Sequence, residues 1–230
     1  MNIVLINGIH GTRQELAPLT SALEESFEVA SLNPLGHGKR EVPPALSVEA
    51  HAADVIAQMN ERGLQAAHIC GYSFGGYVAL YLAKHYPDRV LGITSIATKY
   101  LFDEKWTSLT QFLLARLLDP VADQLQQVNR RREMERLHGP AWRDLCRRNL
   151  ELCTSLPQAA PLSVADLQSI AQPAFIVGFA KDPLVPRQET SELARQLKNG
   201  SVLILAGKGH PFSAVPADTI AAEICRRFLR

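Results

Sequence analysis

The chain has 230 residues, enough for one domain with a large buried core, and its 47% hydrophobic and 20% charged residues are ordinary for a globular protein. A formal net charge of +1 argues against nucleic acid or an anionic membrane as the main partner. The start, MNIVLINGIHG, has no basic leader segment, and no stretch approaches the ~18 apolar residues of a membrane span, so neither a signal peptide nor an anchor is expected.

In chain order, Asn2 to Asn7 (NIVLIN) reads as a buried strand and Gln14 to Glu25 as an amphipathic helix with Leu16, Leu19 and Leu23 on one face. Phe27 to Leu32 is a second strand, ending in the Pro- and Gly-rich loop NPLGHGKREVPP. Ser47 can cap a helix that runs to Glu61 and Arg62 and stops at Gly63. Ala66 to Cys70 is the third strand, followed by a helix from Phe74 to about Tyr86 that Pro87 ends. Further strands are expected at Val90 to Ala97, Pro173 to Gly178 and Ser201 to Ala206, with helices at Arg187 to Lys198 and Ala217 to Leu229. Repeated alternation of this kind predicts an α/β fold, a mostly parallel sheet of about six strands with helices on both faces. Between Thr98 and Gln172 the alternation stops, and only helical patterns appear, among them DEKWTSLTQFLLARLLD. The chain therefore divides into a core of residues 1–98 and 170–230 and an inserted helical cap of 99–169. Such an insertion sits above the carboxyl ends of the strands, where open α/β sheets bind ligands.

Cys70, Cys146, Cys153 and Cys225 show neither a CxxC spacing nor a nearby histidine at ligand spacing, so no metal or redox centre is expected. They read as reduced thiols of a cytoplasmic protein.

The most informative stretch is AAHICGYSFGGYVAL, Ala66 to Leu80, in which Ser73 stands between Gly71 and Gly75 where a strand turns into a helix. A residue at the tip of so sharp a turn needs a strained backbone, and flanking glycines let strand and helix approach without Cβ clashes. The following helix points its amides and positive dipole end at charge developing beside the serine oxygen. Gly71-Tyr72-Ser73-Phe74-Gly75 fits G-x-S-x-G in the strand–turn–helix context that gives the motif meaning.

A serine hydroxyl needs an adjacent base and a group that orients the base. Of the seven histidines, His210 follows the last strand and precedes the last helix, which puts it at the same sheet edge as Ser73. Asp182, after the fifth strand, reaches that edge too, and the order Ser73, Asp182, His210 is the order of this motif class. Asp103 and Glu104, after the fourth strand, compete for the acid role. His51, His68, His85 and His138 read as packing or surface residues away from the edge, and His37 as part of a turn shaping the pocket wall. Oxyanion donors are expected from the backbone N–H groups of Phe74 and Ile9, with His10 the near alternative to Ile9.

The motifs INGIHG, NPLGHGKRE, GYSFGGYVALYLAKHYPDRV, GFAKDPLVP and GKGHPF together resemble the α/β-hydrolase superfamily, particularly small capped esterases and thioesterases. The resemblance covers the sheet regions and little of the cap. It implies a Ser-His-Asp triad at Ser73, His210 and Asp182, a covalent acyl-enzyme and no cofactor. Asn7-Gly8 stands where the family usually has His-Gly, and Asn can hold the loop by hydrogen bonds. The family's additional N-terminal strand pair is expected to be absent.

The resemblance thus points to hydrolysis of a carboxylic ester or thioester of a small acyl substrate. C–C bond, lactone or amide cleavage on the same triad remains open, as does a non-catalytic small-molecule binder. Tyr72, Trp106, Phe112 and Leu113 are the expected substrate contacts. A basic run from Arg130 to Arg148 suits either a solvated helix face or the anionic handle of a carrier-linked or coenzyme A-linked acyl group.

Overall fold

A computed structural model describes residues 1–119, 121, 125–212 and 216–229. Strands β1 (Asn2–Ile6), β2 (Glu28–Leu32), β3 (Ala67–Tyr72), β4 (Val90–Ile96), β5 (Ala174–Phe179) and β6 (Gly200–Leu205) alternate with helices. The helices are α1 (Ala17–Glu24), α2 (Val48–Glu61), α3 (Phe74–His85), α4 (Glu104–Leu118), α5 (Leu125–His138), α6 (Trp142–Ser155), α7 (Val164–Ser169), α8 (Arg187–Gln196) and α9 (Ala217–Phe228). The strands form one six-stranded sheet in the order β2-β1-β3-β4-β5-β6, and every pairing is parallel.

The inner strands β1, β3, β4 and β5 are largely apolar because both faces are covered, and alternate side chains serve opposite layers. Ile3, Leu5, Cys70, Tyr72, Phe175, Val177 and Phe179 pack with Leu16, which caps α1, with Leu19 and Leu23 of α1, and with Ile220 and Ile224 of α9. Val4, Ile6, Ile69, Ile93 and Ile176 face the other layer, where α2 contributes Val55 and Met59, α3 contributes Tyr77 and Val78, and α8 contributes Leu193. Ser47 caps α2 by accepting the Ala50 N–H at 3.1 Å, and Gly63 leaves it at φ +69°.

The chain runs from β1 to β2 on one side and then returns to β3 on the other, so the strand order reverses between β1 and β3. At such a reversal the loops leaving two adjacent strands part, which opens a crevice at their carboxyl ends. The Asn7–Thr12 loop leaves β1 there, and Ser73 leaves β3 beside it.

Helices α4 to α7 all lie between β4 and β5. Both ends of this insertion are tied down. At its entry the buried Glu189 of α8 accepts from Lys99 Nζ (2.6 Å) and from the Tyr100 and Leu101 N–H groups (3.0 Å each). At its exit the Leu162 N–H donates to the Tyr77 hydroxyl, and Lys84 of α3 bridges Asp166 (3.0 Å) and Ser169 (2.9 Å).

Candidate active site

Ser73 occupies the β3–α3 turn at φ 52°, ψ −120°, a conformation that costs a non-glycine residue about 1–3 kcal/mol. Backbone bonds hold it: the Ser73 N–H donates to the Ile96 carbonyl at 2.7 Å, and Thr98 Oγ1 donates to the Ser73 carbonyl at 3.1 Å. The flanking glycines are sterically required. A Cβ on Gly71 would lie 2.2 Å from the Gly75 carbonyl oxygen, and one on Gly75 only 2.4 Å from the Ile6 carbonyl oxygen. The turn thus brings the first turn of α3 against the end of β1.

Ser73 Oγ lies 3.1 Å from His210 Nε2, and His210 Nδ1 lies 2.7 Å from Asp182 Oδ2. The other Asp182 oxygen accepts the Leu184 and Val185 N–H groups at 2.8 and 3.0 Å, so the carboxylate is fully buried yet hydrogen-bonded on both oxygens. A carboxylate on Nδ1 keeps that nitrogen protonated and leaves Nε2 free to accept the serine proton. The loops carrying Asp182 and His210 are tied together by the Lys181 N–H donating to the Lys208 carbonyl at 2.9 Å.

Asp103, the competing carboxylate, is elsewhere: it caps α4 by accepting the Trp106 N–H at 2.7 Å, and Glu104 is exposed. Tyr72 does not line the cavity. Strand alternation turns it to the opposite layer, where its hydroxyl donates to the His210 carbonyl and its ring meets that of Phe212 at 5.0 Å. It supports the histidine loop from beneath.

Above Ser73 and His210 opens a cavity of about 170 Å³, reached by Ile9, Phe74, Trp106, Leu113, Lys99 and Arg130 among others. Its lining on α4 is Trp106, Thr110, Leu113 and Leu114, one face of that helix. Phe112 falls off this face and is 55% exposed, under the guanidinium of Arg116, and does not line the cavity. Leu117 packs inside the insertion with Met134, Trp142 and Cys146. No carboxylate lines the cavity among the described residues.

Beside Ser73 the β1 loop is held from within. Asn7 Oδ1 accepts the Gly8 N–H at 2.7 Å, while its Nδ2 donates to the Thr12 carbonyl at 2.8 Å and to Glu15 at 3.4 Å. Phe74, first in α3, has no intrahelical acceptor for its N–H, and the Ile9 N–H has no partner among the described residues. The His10 N–H is already used, donated to His37 Nε2 at 3.1 Å.

The remaining histidines correct the sequence reading. His51 and His138 are not away from this edge: the His51 ring lies 5.1 Å from that of Phe74, and His138 Nε2 is 3.0 Å from the His10 carbonyl. With His138 lying 128 positions after His10, no local pattern could have signalled that contact. Burial lowers His37, His51 and His138 below the usual imidazole range and pushes His10 down to about 3, with Arg130 and His138 adding to the effect on His10. Among the described residues, no group of three His, Cys, Asp or Glu is arranged to hold a metal ion. Cys70, Cys146 and Cys153 are buried thiols raised to about 12 by desolvation, which makes them poor nucleophiles.

An all-parallel six-stranded sheet, a strained serine at its switch point and an imidazole–carboxylate pair beyond it define an α/β-hydrolase architecture. A match to the family described as alpha/beta hydrolase fold spans residues 2–151, so the chain belongs to that family, as an enzyme of the hydrolase class. Residues 139–230 also match a family described as TAP-like protein. The chain is 27% identical over 241 residues to a protein assigned as carbamate hydrolase RutD in Caulobacter sp. (strain K31), covering 96% of this chain and 88% of that one. It is also 27% identical over 235 residues to a pimeloyl-[acyl-carrier protein] methyl ester esterase of Neisseria meningitidis serogroup A, covering 96% and 74%. Among solved structures, the meta-cleavage product hydrolase CumD from Pseudomonas fluorescens IP01 superposes with a TM-score of 0.81 at 17% identity, covering 100% of this chain and 90% of that one. At that identity the likeness is one of fold. No helix among the described residues is long and apolar enough to cross a membrane.

Proposed function

We propose that the protein is a cytoplasmic serine hydrolase that cleaves a carboxylic ester or thioester of a small acyl substrate without a cofactor. The observation that carries this reading is the continuous hydrogen-bonded chain from Ser73 Oγ through His210 to the buried Asp182, opening on a mostly apolar cavity. Ser73 attacks the acyl carbon as His210 Nε2 takes its proton. Asp182 fixes the imidazole tautomer and balances the charge that forms. The Phe74 and Ile9 N–H groups receive the oxyanion; the His10 N–H, committed to His37, is unavailable for that role. His210 passes its proton to the leaving group, then activates water to release the acid and restore Ser73. In this reading residues 1–98 and 170–230 are the catalytic core, and residues 99–169 are a cap that roofs the acyl pocket with Trp106 and Leu113.

Arg130, which lines the cavity, favours an acyl donor that carries an anionic group; Lys99 lines it too but is already paired with Glu189. The carrier-linked ester in the name of the Neisseria relative is of that kind. Much of the basic run is otherwise engaged, since Arg136, Arg147 and Arg148 pair with Glu133, Asp144 and Glu151 on their own helices.

Labelling with a fluorophosphonate tests the nucleophile, and a panel of p-nitrophenyl esters and acyl thioesters of graded length tests the reaction. Modification and turnover that vanish in Ser73→Ala support the assignment. A well-folded wild type that takes no label would sink it and leave a non-catalytic binder. Turnover confined to lactones, amides or C–C substrates would move the chemistry while keeping the triad. Raised salt should increase KM for an anionic acyl donor and leave it unchanged for a neutral ester.

A further inference from the structure

The β1 loop is gripped from outside by two histidines from distant parts of the chain. His37, in the loop after β2, accepts the His10 N–H on Nε2 at 3.1 Å and donates from Nδ1 to the Leu35 carbonyl at 2.8 Å. His138, the last residue of α5, accepts the Gly38 N–H on Nδ1 at 3.1 Å and meets the His10 carbonyl with Nε2 at 3.0 Å. The two peptide groups flanking the His10 Cα are therefore each fixed by one imidazole, and His10 is held at φ 63°, a conformation an L-residue rarely adopts unaided. The rings of His37 and His138 stand edge to face at 5.4 Å, both almost fully buried.

We propose that His37 and His138 are positioning residues, which clamp the His10 peptides so that the neighbouring Ile9 N–H points at the reacting carbonyl, and that His138 makes this geometry conditional on the docking of α5. The inference rests on the assignment of Ile9 as an oxyanion donor. The partners dictate the proton on each ring. His37 must be the Nδ1–H tautomer, because its Nε2 faces an N–H. His138 must be the Nε2–H tautomer, because its Nδ1 faces one. A second proton on either ring would set N–H against N–H and open the clamp.

The surrounding charges favour this neutral state in part and oppose it in part. His37 faces His10, His51 and His138, and the Asn149 amide lies 3.5 Å from its Nε2. His51 in turn faces Asp54 and Arg40. His138 faces Glu133 on its own helix, which favours the charged form, while burial opposes it. Arg130 faces His10 across the cavity, and Lys39 runs past the backbone of Gly139. Burial is the largest influence on each ring and lowers both, His37 well below the usual imidazole range, which favours the neutral clamp.

The test pairs kinetics with spectroscopy. In His138→Leu, kcat on a neutral p-nitrophenyl ester should fall about 10- to 100-fold with KM within about threefold, since the whole of one oxyanion donor is worth about 100- to 1,000-fold. His138→Gln offers an acceptor and a donor at similar reach and should recover most of that loss. Wild-type kcat in His138→Leu, or a loss confined to KM, would overturn the clamp. Long-range ¹⁵N–¹H spectra of the wild type need neither activity nor a variant that folds. They should show fixed Nδ1–H and Nε2–H tautomers for His37 and His138, with His37 unprotonated well below pH ~6.5 and His138 lowered in the same direction. Tautomer averaging or ordinary titration at either ring refutes the proposal. A wild type inert to every ester but with both tautomers fixed would refute the catalytic reading alone and retain the clamp.

Discussion

Asn7 offers the sharpest test of how this chain holds the loop beside Ser73, because the residue is 3% exposed and every polar atom of its side chain is engaged. Asn7→Ala removes the acceptor of the Gly8 N–H and the donor to the Thr12 carbonyl, both in buried residues. The Gly8 N–H is left orphaned, whereas the Thr12 carbonyl still accepts the Glu15 N–H at 3.2 Å, so the expected loss is that of one buried group, about 1–3 kcal/mol. With a urea slope of about 2–3 kcal/mol per molar, the unfolding midpoint should drop by roughly 0.5–1 M at unchanged slope. Catalysis should fall as well, because Ile9 rides on the same loop: about 10- to 100-fold in kcat on a p-nitrophenyl ester, below the cost of losing an oxyanion donor outright. Asn7→Asp sharpens the comparison. It keeps the acceptor for Gly8 but sets a second carboxylate beside Glu15, whose own acidity burial already weakens. A midpoint within about 0.3 M of wild type together with kcat within about twofold would refute the reasoning, since the bonds would then contribute nothing net.

Gly75→Ala places a Cβ about 1 Å too close to the Ile6 carbonyl, so α3 must shift; we expect about 1–3 kcal/mol of destabilisation and a slower fluorophosphonate reaction at Ser73, and an unchanged labelling rate would contradict the close-approach argument. Asp182→Asn keeps acceptors near Leu184 and Val185 but offers an amide to His210 Nδ1; kcat should fall about 10³- to 10⁴-fold with little change in Tm, and a loss below tenfold would reopen the search for the acid. His68 is buried in β3 against Thr94 and pushed down to about 3 by desolvation. Its folded pKa lies below the unfolded value of about 6.5, so between the two the unfolded chain binds the extra proton and stability falls as pH falls. At pH ~5 that is about 2 kcal/mol, so the gap in unfolding free energy between about pH 7.5 and pH 5 should narrow by that much in His68→Gln. An equal gap in both proteins would show that His68 is protonated in the fold.

The sheet was legible in the sequence because strands buried on both faces are runs of apolar residues too short for helices, and the observed ends differ from the expected ones by a residue or two. The helix expected at Gln14 begins at Ala17, since Thr12 to Gln14 are spent on tight turns that carry the chain out of the β1 loop. Ser73, Asp182 and His210 could be singled out because the fold places successive loops at one edge in a fixed order. Two misplacements could have been avoided with the same arithmetic. Tyr72 shares the phase of Cys70 and so belongs to the layer of α1 and α9. Phe112 is out of step with Trp106, Thr110 and Leu113, which repeat at helical spacing. The histidine contacts were beyond reach for another reason: they join segments whose separation no periodicity records.

The anchoring of the insertion limits what it can do. With Tyr100 and Leu101 bound to Glu189 at one end and Leu162 and Asp166 bound to α3 at the other, any swing of α4 to α6 must pivot inside those two points. Glu189 lies on the helix that follows the Asp182 loop, so the entry hinge is fixed to the same rigid body as the carboxylate. Under the proposed function, a movement of α4 to α6 that admits substrate would rock on a stationary frame and leave the hydrogen bonds among Ser73, His210 and Asp182 in place.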